Sequence, residues 1–159
     1  MNRPRLYSRQ HAPRSTRRAL LWSLVGACAF GGRVAGAAST SEFRVLVNPD
    51  NPLTSVSRDL VTDLFLKRAT RWHDGETAHP VDQRADARVR QSFSDSVLRR
   101  SVSAIKRFWQ QRIFSGRELP PPELESDEAV VSYVLKHRGA IGYVTTGAKL
   151  GLAKAVPIQ

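Results

Sequence analysis

The sequence predicts a single α/β domain preceded by a leader. Three observations carry that expectation. Short extended apolar segments alternate along the chain with segments of helical periodicity. The breaks between them are rich in Gly, Pro, Ser and Asp. An apolar fraction of 41% in 159 residues is enough for one ordinary core. The formal charge of +11 is misleading, because residues 1–37 hold seven arginines and no acid. The rest carries eighteen basic and fourteen acidic residues, a net of +4, which gives no ground for a nucleic-acid-binding surface.

Residues 1–37 read as an export signal. An Arg-rich stretch from Met1 to Arg18 precedes the apolar run Ala19–Phe30, and Ala35-Gly36-Ala37 supplies an A-x-A cleavage site. The apolar run is twelve residues, short of the roughly 20 a membrane-spanning helix needs. Cleavage after Ala37 leaves the domain 38–159. Arg17-Arg18 before the run fits the twin-arginine route as well as the general one, and Val25-Gly26-Ala27-Cys28 offers a lipidation alternative at Cys28. Cys28 is the one cysteine, so the domain has no disulfide and no Cys-ligated metal, and a periplasmic setting is expected.

Along the domain, Phe43–Asn48 reads as a strand stopped by Pro49-Asp50-Asn51-Pro52. Ser57 is the expected N-cap of a helix to about Lys67, with Val56 and Val61 placed as a hydrophobic staple. Arg71–Gly75 is a turn, and a short strand is expected over 77–83. Asp86 is placed to cap a long helical region carrying Val89, Phe93 and either Val97 or Leu98. A second helix covers 101–114, and Pro120-Pro121-Pro122 makes an extended connector. Ser126 caps a helix over 127–137, acidic at its start and basic at its end, as the helix dipole prefers. Ala140–Val144 reads as a buried strand with glycines at close approaches, and 152–158 holds the last strand.

Catalytic patterns are thin. His73, His79 and His137 show no metal-ligand spacing, and no nucleophile elbow or phosphate-loop glycine motif is present. Neither an enzyme nor a cofactor or metal is expected. Trp72, Trp109 and Phe108 read as core aromatics rather than a stacking surface. Arg84, Arg88 and Arg90 cluster at a strand-to-helix junction, where free backbone N–H groups and planar guanidinium donors suit an oxyanion. The alternative is that they are solvated surface cations.

Several segments in order resemble the periplasmic phosphate-binding proteins of ABC transporters. They are Asn51-Pro52-Leu53-Thr54 leading into Asp59–Phe65, Trp72-His73-Asp74-Gly75, Arg84-Ala85-Asp86 followed by Phe93, Trp109, Phe114-Ser115-Gly116, and Gly139-Ala140-Ile141-Gly142-Tyr143-Val144. The resemblance implies a mixed sheet flanked by helices, one lobe of a type II binding-protein fold. It implies non-covalent binding of phosphate or a similar oxyanion, linked to transport or sensing. Arg84 would be the anion donor and Asp86 its orienting partner or helix cap. Arg88, Arg90, Ser55 and Ser57 are further candidates, the serines through the start of the first helix. Partners implied are transporter membrane subunits or an envelope sensor. Two departures stand out: Ala87-Arg88-Val89-Arg90 replaces the family's Ser-Gly-Thr stretch, and Lys67 replaces the glycine of its F-x-G. The rival expectation is a lobe without ligand that serves as an interaction module. Two copies of the chain could pair to form a cleft between them.

Overall fold

The computed structural model describes residues 42–159. The expected leader, with Cys28, lies outside the described residues. Ala38–Gln159 is a compact unit of its own, and it contains both apolar clusters and every strand described here. The described part of this unit is built around its own core.

A four-stranded mixed sheet forms the centre. Its strands are β1 (Phe43–Val47), β2 (His79–Pro80), β5 (Ala140–Thr145) and β6 (Lys154–Val156), in the order β2-β5-β1-β6. β1 runs antiparallel to β5 and β6, and β2 runs parallel to β5. Strand alternation sorts the core into two clusters. Phe43, Val45 and Val47 share one face with Ile141 and Tyr143, and they pack among residues of α1 (Arg58–Phe65), α2 (Arg88–Phe93) and α3 (Val102–Phe114). Leu46, Ala140 and Val144 face the other way, onto Val130, Val131 and Val134 of α4 (Asp127–Lys136). Helices thus flank both faces, as expected.

The expected caps form at α1 and α4, and the structure adds a third at α3. Ser57, Ser101 and Ser126 accept hydrogen bonds from the amides of Leu60, Ala104 and Ala129. Val56 and Val61 are both buried in the first cluster, as a staple requires. Asn48 caps from a distance: its Nδ2 donates to the carbonyls of Val134 (2.9 Å) and Leu135 (3.3 Å) at the end of α4.

Other expectations need correction. The strand over 77–83 is two pieces. After β2 the chain leaves the main sheet, and β3 (Asp82–Gln83) pairs in parallel with β4 (Glu123–Leu124) at the end of the proline connector. Asp86 does not cap α2. Ala87 is the N-cap, without a side-chain hydrogen bond, because the Asp86 carboxylate is held by Arg84. The long helix is also broken into α2 and a π-helical segment, Ser94–Leu98, which ends at Arg99 with φ of 52°. The wider π turn brings both Val97 and Leu98 into the core, where a regular helix would turn one of them away.

Gly139, just before β5, and Gly142 within it both sit at close packing contacts. A Cβ on Gly142 would lie 2.6 Å from Val130 Cγ1, so its absence lets α4 approach the sheet. Gly139 is tighter still, with the Thr77 carbonyl oxygen 1.9 Å from where its Cβ would be. Its own carbonyl accepts from Trp72 Nε1 (2.9 Å) and from the His79 amide (2.9 Å). Trp72 and Trp109 are buried, which bears out the core reading of both. Lys67 has φ of 51° and so takes the left-handed conformation that a glycine would adopt without strain.

Candidate anion-binding edge

Strands β2, β5 and β6 run in one direction, so their C-terminal ends share one edge of the sheet. In α/β folds the groups outside the carboxyl ends of strands are the ones free to meet a ligand. Three helices start at this edge. α1 begins beside the end of β6, where Val56 bridges to Ile158 and the Arg58 amide donates to the Gln159 carbonyl. α4 begins beside the end of β5, where Asp127 meets Thr145. α2 follows the end of β3.

The three helix starts differ in what already occupies them. α1 is capped by Ser57 and has Asp59 in its first turn. α4 is capped by Ser126 and carries Asp127 and Glu128. Backbone amides and the Ser126 hydroxyl hold the Glu128 carboxyl below its usual range. α2 has no side-chain cap and no acid in its first turn, and Arg84 and Arg88 are exposed beside it. It is the one of the three without an acid in its first turn.

Arg84 is not bare. Its Nε and Nη2 bind Asp86 at 3.0 and 2.5 Å, and its Nη1 lies 3.4 Å from Glu125 Oε2. The hydrogen bond and charge of Asp86 push the guanidinium further up, and Arg84 in turn holds the Asp86 carboxyl below its usual range. Asp86 is thus paired with Arg84 rather than with the start of α2. Arg88 makes no ion pair among the described residues. Ser55 and Ser57 lie on the far side of the edge. Three strand spacings, roughly 14 Å, separate the end of β2 from that of β6, so the structure does not bring the serines together with Arg84. The Ser57 hydroxyl is in any case engaged as a cap. On that side Arg58, Ser92 and Ser96 line a cleft of 710 Å³ that also contains Glu42 and Asp95.

Arg90 points inward. It is 4% exposed and ion-paired with Asp82, itself 3% exposed. The same carboxylate oxygen accepts from the Tyr143 hydroxyl and from the Gln83 amide. Burial pulls the Arg90 guanidinium down, partly offset by Tyr143 and Glu123. Its Nε, like the Ser94 hydroxyl one helical turn on, is buried without a hydrogen-bond partner. Arg90 therefore does not join Arg84 and Arg88 at the surface. Sequence reasoning did not find this buried cluster. The available signal was Tyr143 in the middle of a buried strand, since a buried phenol needs a polar partner.

The cluster predicts a base-labile fold. Burial chiefly, against the pull of Arg90, raises the Tyr143 hydroxyl to about 12. In the unfolded chain a tyrosine titrates near ~10, so between these values the unfolded state sheds a proton that the folded state keeps. Stability is then full below pH ~10 and falls as pH rises toward ~12. Urea melts across that window are expected to show the loss, and Tyr143→Phe is expected to flatten it.

Known receptors share this fold. The chain is similar in structure to an ABC-type phosphate transport receptor from Vibrio cholerae, with TM-score 0.56 and 18% identity. A substrate-binding protein from Clostridium perfringens with bound phosphate gives 0.54 and 16%, and PstS from Borrelia burgdorferi gives 0.57 and 9%. Each match covers 74% of this chain and between 44% and 47% of the receptor. The fold matches one lobe of these receptors. No protein-family model matches the sequence, and no curated protein matches it by sequence. The expected lobe is borne out at the level of fold, and the chain spans less than half the length of these phosphate-binding receptors. Among the described residues, no helix is long and apolar enough to cross a membrane.

Proposed function

We propose that the chain is an exported, periplasmic binding protein of one lobe that takes phosphate or a similar oxyanion without chemistry. One observation supports it above the others. On a fold shared with phosphate receptors, Arg84 and Arg88 stand at the strand-end edge beside the one helix start that has neither cap nor acid. The Arg84 fork and the amides at the start of α2 would grip the anion, with Asp86 holding the fork in plane. Transporter membrane subunits or an envelope sensor would receive the loaded lobe, and a second copy facing the edge would close the open side.

Titration calorimetry of residues 38–159 with phosphate, with sulfate as competitor, tests this. Saturable binding that Arg84→Ala weakens roughly tenfold or more is the expected result. Unchanged affinity in Arg84→Ala would rule out the site.

A second reading rests on the chain's own acids. Asp86 and Glu125 already fill the Arg84 fork. The Asp127 carboxylate takes the Thr145 amide and hydroxyl and the Gln83 side-chain amide. A lobe whose donors are occupied in this way would serve as a ligand-free interaction module. Absence of heat with both anions is its signature.

A further inference from the structure

Residues 96–117 hold six basic residues and no acid. The rest of 38–159 has twelve basic and fourteen acidic residues, so the positive charge of the domain resides in this one segment. It contains α3 and the turn after it. Ile105 and Trp109 turn the inner side of α3 into the core. Arg107 and Phe114, seven residues apart, lie on the outer side, and both are exposed. Arg99, Arg100, Lys106, Arg107 and Arg117 make no ion pair among the described residues, whereas Arg112 is paired with Glu118 at 3.0 Å.

The apolar residues at the end of this segment are unusually bare. Phe114 is 90% exposed, Leu119 68% and Ile113 45%. The Ser115 hydroxyl binds back to the carbonyls of Gln111 and Arg112, and Gly116 turns the chain at φ of 65°. The helix end is therefore well formed, and its apolar side chains are left outside it. An exposed aromatic beside cations of which only Arg112 is ion-paired among the described residues, with Glu118, is the pattern by which surface segments enter the interface of an anionic bilayer. A protein partner would need a pocket shaped for Phe114. A bilayer accepts a protruding ring without one.

We infer that the C-terminal end of α3, through Phe114 with Arg107 and Arg117, docks the domain on membranes containing anionic phospholipid. Flotation of residues 38–159 with phosphatidylcholine vesicles containing roughly one-quarter phosphatidylglycerol, against pure phosphatidylcholine, tests this. The expected result is binding to the anionic vesicles alone, lost at high salt. Arg107→Gln and Arg117→Gln should each lower the partition coefficient roughly fivefold, and Phe114→Ser roughly tenfold. These side chains are exposed, so thermal melts should be unaltered. Leu152→Ser, at a second exposed leucine outside the segment, should change nothing. Equal binding to both vesicles, or an unchanged Phe114→Ser, overturns the inference. So does failure to float while an acidic peptide such as polyglutamate is retained, which would leave the segment to an acidic protein. Phosphate titration is independent of all these outcomes.

Discussion

Arg90→Ala is expected to lower the stability of residues 38–159 by about 3–5 kcal/mol, read as a fall in the urea midpoint. The size follows from what the substitution leaves behind. Asp82 would remain 3% exposed, still accepting from Tyr143 and Gln83 but without its counter-charge. A buried carboxylate in that position must keep an uncompensated charge or take up a proton, and both cost free energy. Asp82→Ala strands the guanidinium instead and should cost a similar amount. The double variant Asp82→Ala with Arg90→Ala should cost clearly less than the sum of the two, because neither charge is then left alone. Additive losses, or a single-variant loss under about 1 kcal/mol, would mean that the pair is solvated and does not hold α2 to the sheet.

Gly139→Ala comes next in size, with an expected loss of about 3 kcal/mol. The obstacle is the backbone carbonyl of Thr77 rather than a flexible side chain, so relief requires β2 and the start of β5 to separate. That movement also strains the hydrogen bonds from Trp72 Nε1 and the His79 amide to the Gly139 carbonyl. Trp72 fluorescence should therefore shift in the folded variant. A variant with both stability and emission unchanged would show that the strand pair is looser than its geometry indicates.

The parts of the molecule legible in the sequence are those set by local rules. Ser57 and Ser126 announce helix starts because a short hydroxyl next to free amides has one favourable use there. The alternation of β1 and the apolar run of β5, with Gly139 before it and Gly142 within it, give the central pair of strands. What was missed depends on partners distant in sequence. Asp82 and Tyr143 are 61 residues apart, so nothing local marks Asp82 as buried or tells Arg90 from its exposed neighbour Arg88. The same holds for the split of β2 from β3, which is set by β4 some 40 residues later. At the candidate site, the sequence placed Arg84 and Asp86 together but grouped them with Ser55 and Ser57. Motif order along a chain carries no information about which strand separates two helix starts.

Lys67 shows how the lobe can keep its shape while its sequence changes. Its left-handed turn closes α1 although the residue itself disfavours that conformation by about 1–2 kcal/mol. The instruction for the turn lies elsewhere. Phe65 and Leu66 are buried on either side of the chain path, and the amides of Arg68 and Ala69 both bind the Asp63 carbonyl. The geometry is thus encoded redundantly by its surroundings, and the residue at the bend is free to drift. Spread over many such positions, that redundancy allows a common backbone to outlast nearly all of its shared letters, down to the 9% identity seen with the Borrelia burgdorferi receptor.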